Sequence, residues 1–191
     1  LTAPISETPK QAQIIEIGFL QGKPISMDGK KMPLYELIEQ LNKLAGIHGV
    51  GRIDHVENRL IGIKSREIYE APAAITLINA HKAIESLCLT RDVADFKLLI
   101  EQKFANLIYQ GTWYSPLKDA ITAFIDQTQK NITGTVRIKL HKGNAIVIGR
   151  KADKSLYQLN LATYKTDDDY DHEAAIGFIK IWGLPLEVYS T

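Results

Sequence analysis

A chain of 191 residues, 45% hydrophobic and 24% charged, has the apolar content to bury a core, which excludes a disordered tail as its main character. Its formal net charge of +1 argues against a nucleic-acid or anionic-membrane surface as the main function. The single cysteine, Cys88, has no intrachain disulfide partner, and no apolar run approaches the ~20 residues of a membrane span, so a reduced, cytoplasmic setting is expected.

Residues 1–10, with Pro4 and Pro9, read as a linker, and residues 11–191 as one folded region. No basic segment leads into an apolar stretch at the start, so no secretory signal is visible. The first residue is Leu1 rather than methionine, and the expectation is a chain cut from something longer. The β-branched run at 13–20 predicts a strand and 23–27 its neighbour, with Asp28-Gly29 as a tight turn into 30–32. Pro33 opens a helix in which Leu34, Leu37, Ile38, Leu41, Leu44 and Ala45 recur at three- and four-residue steps, and Gly46 is the expected stop. After residue 70, the spacing predicts a second helix over 73–89, with Leu77, Ala80, Ile84, Leu87 and Cys88 on one face. A third follows Thr90, with Val93, Phe96, Ile100, Phe104 and Leu107 as its core stripe and Gly111 as terminator. Ser115-Pro116 caps a fourth, with Leu117, Ala120, Ile121, Phe124 and Ile125 facing inward.

From Thr135 the period changes to two, as a sheet with one wet face requires, and Lys142-Gly143-Asn144 turns the chain into a partner strand. Residues 156–164 fit a strand or a short helix, 167–171 read as an acidic loop, and 177–182 as a last strand closed by Gly183 and Pro185. Strands, then helices, then strands indicate an α+β fold with a largely antiparallel sheet and a layer of three to four amphipathic helices.

The stretch 48–70, HGVGRIDHVENRLIGIKSREIYE, fits neither a solvated helix face nor a plain half-buried strand. It sets Arg52, Asp54, Glu57, Arg59, Lys64, Arg66, Glu67, Tyr69 and Glu70 among Val50, Ile53, Val56, Leu60, Ile61, Ile63 and Ile68. A few directed polar groups on an apolar framework is what the wall of a binding site offers. Read from the residues alone, the preferred reading makes Glu57 a surface ion-pairing group and Tyr69 a core residue with its hydroxyl at the rim.

The run GVGRIDHVENRLIGIKSREIYE resembles the signature of argininosuccinate synthase, and the likeness extends to LNKLAGIHGVGRID, YQGTWYSP, KGNAIVIGRK and GFIKIWGLP, nearly the whole chain. What the resemblance implies is an AMP-forming ligase of arginine biosynthesis and the urea cycle, joining citrulline to aspartate at the expense of ATP and its Mg2+. The ATP adenylates the ureido oxygen of citrulline, pyrophosphate leaves, and the aspartate amine then displaces AMP. In the family the glutamate of the VEN triplet and the tyrosine of the REIY segment bind citrulline, which maps the contacts onto Glu57 and Tyr69. The family is tetrameric, and its C-terminal domain supplies part of the citrulline site and much of the subunit contact. Its ATP site is carried on a Ser-Gly-Gly-x-Asp loop of an N-terminal domain, and no such loop occurs here. The chain is therefore expected to be the C-terminal region, inactive alone and binding no cofactor itself. The competing reading is an oligomerisation scaffold, with Tyr109, Trp113 and Tyr114 at the interface.

Other patterns carry less. Arg59 and Arg66 suit either a carboxylate or phosphate ligand or pairing with Asp54 and Glu67 that pins the loop, and pinning is the preferred reading. Arg52 and Lys64 share the signature with no role assigned. Gly49 and Gly51 start a dinucleotide-like pattern that fails at Asp54, and Gly22-Lys23 lacks the Ser or Thr of a phosphate loop. His81 and Cys88 share a helical face but lie ~10 Å apart along the axis at 1.5 Å per residue, too far for a thiol and its base. The acidic cluster around 167–173 lacks a calcium-loop pattern, so no metal site is expected.

Overall fold

The computed structural model describes residues 1–161 and 170–190. It bears out the α+β class. A five-stranded antiparallel sheet has the order β3-β2-β1-β6-β7, formed by β1 (Gln13–Leu20), β2 (Lys23–Met27), β3 (Lys30–Lys31), β6 (Gly134–His141) and β7 (Asn144–Ala152). The period-two pattern explains why one face is dry: Ile15, Ile17 and Phe19 of β1 and Val136, Ile138 and Leu140 of β6 are all buried. Lys142 and Gly143 both take positive φ, 48° and 82°, and form the tight turn expected between β6 and β7.

Two helices cover that face. In α1 (Leu34–Ile47) and α2 (Pro72–Cys88), Leu37, Leu41 and Ala45 join Ala73, Ala80, Ala83 and Ile84 in the core against the sheet. The terminator of α1 is Gly49, at φ 73°, rather than Gly46, which the helix still contains. Further out, α3 (Arg91–Tyr109) and α4 (Pro116–Gln129) pack on one another through an edge-to-face contact of Phe96 and Phe124, 5.4 Å between centroids. The Ser115 hydroxyl accepts from the Lys118 amide, as the cap motif predicts.

Between α1 and α2 the chain leaves the body as a separate two-stranded hairpin, β4 (Arg52–Asn58) and β5 (Lys64–Glu70). Its base is closed by the Ala71 amide donating to the Gly51 carbonyl at 2.8 Å. Residues 1–10, read as a linker, are bonded to the body, 1–3 at this base and Ile5, Thr8 and Lys10 at the turn between β6 and β7. A short 3-10 turn spans Ile5–Glu7, the Ala3 amide donates to Gly46, and Thr2 bonds both Arg52 and Glu70.

Leu1–Leu156 form one compact unit and Tyr157–Thr191 a second. In the second, a 3-10 turn spans Leu159–Leu161 and a helix, α5, spans His172–Ser190. This corrects the strand expected over 177–182. Phe178, Ile179, Ile181 and Trp182 stand at the i, i+1, i+3, i+4 spacing of a helix, Asp171 accepts from the Ala174 amide at the helix start, and Phe178 stacks on Trp182 one turn on. Pro185 sits inside this helix, where it removes one backbone donor without ending it. Of the regions read above, 162–164 and 167–169 lie outside the described residues. Among the described residues no helix is long and apolar enough to cross a membrane.

Candidate functional site

Most of the charged stretch 48–70 lies in the two strands of the hairpin, and both faces carry charged and apolar residues. Paired residues of an antiparallel ladder share a face. The register sets Ile53 opposite Tyr69, His55 opposite Glu67 and Glu57 opposite Ser65 on one face. The other face pairs Arg52 with Glu70, Asp54 with Ile68, Val56 with Arg66 and Asn58 with Lys64. The second face is exposed throughout, whereas Ile53, Glu57, Ser65 and Glu67 on the first are partly shielded.

Glu57 and Tyr69, twelve positions apart, come together on the shielded face. The Tyr69 hydroxyl donates to Glu57 Oε2 at 3.1 Å, and the Glu57 side chain is only 17% exposed. His55 lies edge-on to the Tyr69 ring at 5.6 Å, with its Nε2 3.8 Å from Glu57 Oε2. Desolvation pushes the Tyr69 phenol above its ordinary value, helped by the hydrogen bond and charge of Glu57 and by Glu67, while Arg59 opposes. The phenol therefore stays protonated at neutral pH and donates to the Glu57 carboxyl oxygen. Such a pair can take an ammonium or amide N–H on the carboxylate and a donor or acceptor on the phenol.

Pins hold the ladder around this pair. Arg66 grips Asp54 with two bonds, 2.9 and 2.5 Å, on the exposed face, and this contact holds the Asp54 carboxyl below its usual range. Arg59 donates to Glu67 at 2.7 Å on the shielded face. Both arginines thus take the pinning role rather than standing free. Lys64 bonds the side chain of Asn58 at 2.6 Å, and Tyr109 at the end of α3 donates to the Asn58 carbonyl at 3.3 Å. Ser65 Oγ is covered yet has no hydrogen-bond partner among the described residues.

The family model of the arginosuccinate synthase C-terminal domain matches residues 1–189. The chain belongs to the argininosuccinate synthase family. It is 60% identical to an argininosuccinate synthase of Brevibacillus brevis, 61% to one of Bacillus subtilis and 62% to one of Anoxybacillus flavithermus, in each case over the whole chain. Those alignments cover 45% of the Brevibacillus protein and 47% of the other two, so the chain spans about half the length of the curated relatives it matches.

In this argininosuccinate synthase region a second polar cluster escaped the sequence reading. Lys97 on α3 is buried and lies 3.2 Å from Glu85 on α2, and it also bonds Glu101. Gln129 at the end of α4 donates to Glu85 at 2.6 Å, while its carbonyl meets His81 at 2.8 Å. Burial alone would pull the Lys97 ammonium down, but Glu101 and Glu85 together hold it above its ordinary value. Charged residues are by default placed outside, so a mutually paired set buried between three helices leaves no signal in a hydrophobic pattern. A cavity of about 370 Å³ opens beside it, lined by Lys97, Glu101, Phe104, Ile125 and Gln129 among others. His81 is engaged with Gln129 rather than with Cys88, whose thiol burial pushes up, as expected of a residue packed against the core. Among the described residues no group of three His, Cys, Asp or Glu could hold a metal ion.

Proposed function

We propose that this chain supplies the citrulline-contacting half of an argininosuccinate synthase, with Glu57 and Tyr69 as the contacting residues. The observation that carries the reading is the 3.1 Å pairing of Tyr69 with a shielded carboxylate on one hairpin face, in a chain of this family. The Glu57 carboxylate suits the ammonium or ureido N–H groups of citrulline, and the phenol suits one further polar atom. On this reading the enzyme ligates citrulline and aspartate with ATP, releasing AMP and pyrophosphate in arginine biosynthesis, in the cytoplasm. On this reading ATP and its Mg2+ are held by the part of the enzyme beyond this chain, which spans about half the length of the relatives it matches. The chain alone then does not turn over.

Calorimetric titration of citrulline into the chain, beside Glu57→Ala, tests the site. Loss of one charge-assisted hydrogen bond of ~1.5–3 kcal/mol weakens binding roughly 10- to 100-fold. Equal binding by both proteins would refute Glu57 as a contact. A second reading, assembly with further copies into a tetramer, is favoured by exposed aromatic and aliphatic groups. Tyr109 and Trp113 are half-exposed and Tyr114 fully so, and on α5 Ile181 and Trp182 are open to solvent. Light scattering after size exclusion, giving a monomer at micromolar concentration, would sink it.

A further inference from the structure

Glu57 has two oxygens, and the structure gives each a different partner. Oε2 accepts from Tyr69 at 3.1 Å, while Oε1 faces Arg59 Nη1 at 3.6 Å. The terminal torsion of a glutamate is broad and roughly two-fold, so its backbone does not fix which way the carboxylate plane lies. Contacts must fix it, and the Tyr69 hydroxyl and the His55 ring, 3.8 Å away, both meet the same oxygen and leave the plane free to turn about it.

Arg59 is itself held at both ends. Its amide donates to Ile63 and its carbonyl accepts from Gly62, both at 2.7 Å, so its backbone is locked in the hairpin turn. At the far end, Nη2 is bonded to Glu67 at 2.7 Å on the opposite strand. The planar guanidinium then presents its other nitrogen to Glu57 in one orientation, which a flexible ammonium would not do.

We infer that Arg59, anchored by Glu67, is a positioning residue that sets the carboxylate plane of Glu57 so that Oε2 stays on the Tyr69 hydroxyl. The control of the carboxylate stands on these distances, and its value for an amino-acid substrate rests on the reading above. A fixed carboxylate and phenol form one preorganised pair, whereas a rotating carboxylate would have to be ordered at the moment of binding. Arg59 does not touch the substrate. The pin between Arg66 and Asp54 lies on the other face of the ladder and does not reach Glu57.

The test reads the Tyr69 phenol directly, by nuclear magnetic resonance of the chain carrying carbon-13 at the tyrosine ζ position and assigned with Tyr69→Phe. The groups around this phenol are Glu57, Glu67, His55 and Arg59 on the hairpin. Two mechanisms predict opposite signs for Arg59→Gln. If Arg59 were only a nearby positive charge, its removal would raise the phenol pKa further. If Arg59 positions Glu57, the carboxylate swings away, the phenol loses its acceptor, and its pKa falls toward the ordinary value.

The expected result is a fall in Arg59→Gln, a smaller fall in Arg59→Lys, and a rise when Arg59→Gln is added to Glu57→Gln, where only the charge effect remains. A rise or no change in the single variant overturns the inference. So does a fall that persists in the double variant, because it then bypasses Glu57. Should Arg59→Gln lose the hairpin amide dispersion, Arg59→Lys carries the same comparison. Citrulline added to the unmutated chain is the separate arm: a Tyr69 resonance that ignores it refutes the substrate reading and leaves the carboxylate control standing.

Discussion

Replacing Gly51 by alanine tests how the hairpin is held to the body of the domain. Gly51 is buried at φ 103°, where an L side chain is strained whatever the space. A Cβ built there lies 2.5 Å from both Cα and N of Pro72 and 2.7 Å from the carbonyl carbon of Ala71. Carbon atoms in good contact sit ~3.5–4.0 Å apart, so the overlap is about 1 Å. The atoms it meets are backbone and cannot swing aside. Pro72 is fully buried as the first residue of α2, and Ala71 is bonded to Gly51 itself. Backbone strain of roughly 1–3 kcal/mol and overpacking of roughly 1–3 kcal/mol sum to about 2–6 kcal/mol. At roughly 2–4 °C per kcal/mol for a chain of this size, Gly51→Ala lowers Tm by at least ~4 °C in a thermal melt followed by circular dichroism. It also displaces the start of β4, so hairpin amides shift most in a nuclear magnetic resonance spectrum. Stability within about 0.5 kcal/mol of the parent, the usual range for a neutral surface change, would refute the argument.

Three other outcomes follow from the same geometry. Lys97→Ala leaves Glu85 buried without its cation and costs roughly 3–5 kcal/mol in urea unfolding, whereas a loss under ~1 kcal/mol would mean the pair is solvated. Burial, and then His141, hold the His48 imidazole below its ordinary value of 6.5, so the unfolded chain binds the proton more readily than the native one. Stability is complete above pH 6.5 and falls as the pH drops from there through the lower native pKa; His48→Gln flattens that slope, and an unchanged slope would refute it. Ser65→Ala removes a covered hydroxyl that has no partner, so the folded chain is as stable as before or more stable by up to ~1 kcal/mol, and a clear loss in a denaturant titration would contradict this.

The chain's own periodicities determined most of the architecture. The β-branched run of β1, period two in β6, period 3.6 in α1 to α4, and the Ser115-Pro116 cap are local signals. Family likeness selected Glu57 and Tyr69, and the arginine pins were legible because Asp54 and Glu67 lie in the same charged stretch as Arg59 and Arg66. The helix over 177–182 was also written locally, in apolar residues at 178, 179, 181 and 182, a cap at Asp171 and a contact one turn apart. Two things needed the tertiary structure. Lys97, Glu85 and Gln129 lie far apart in the chain, and their burial is tolerable only because they meet. Which face of the hairpin is the shielded one, and hence which charges gather around Glu57, depends on a register no single strand encodes. Local periodicity reports what one element buries, whereas a polar group inside is paid for by a partner from elsewhere, and only the assembled fold supplies the partner.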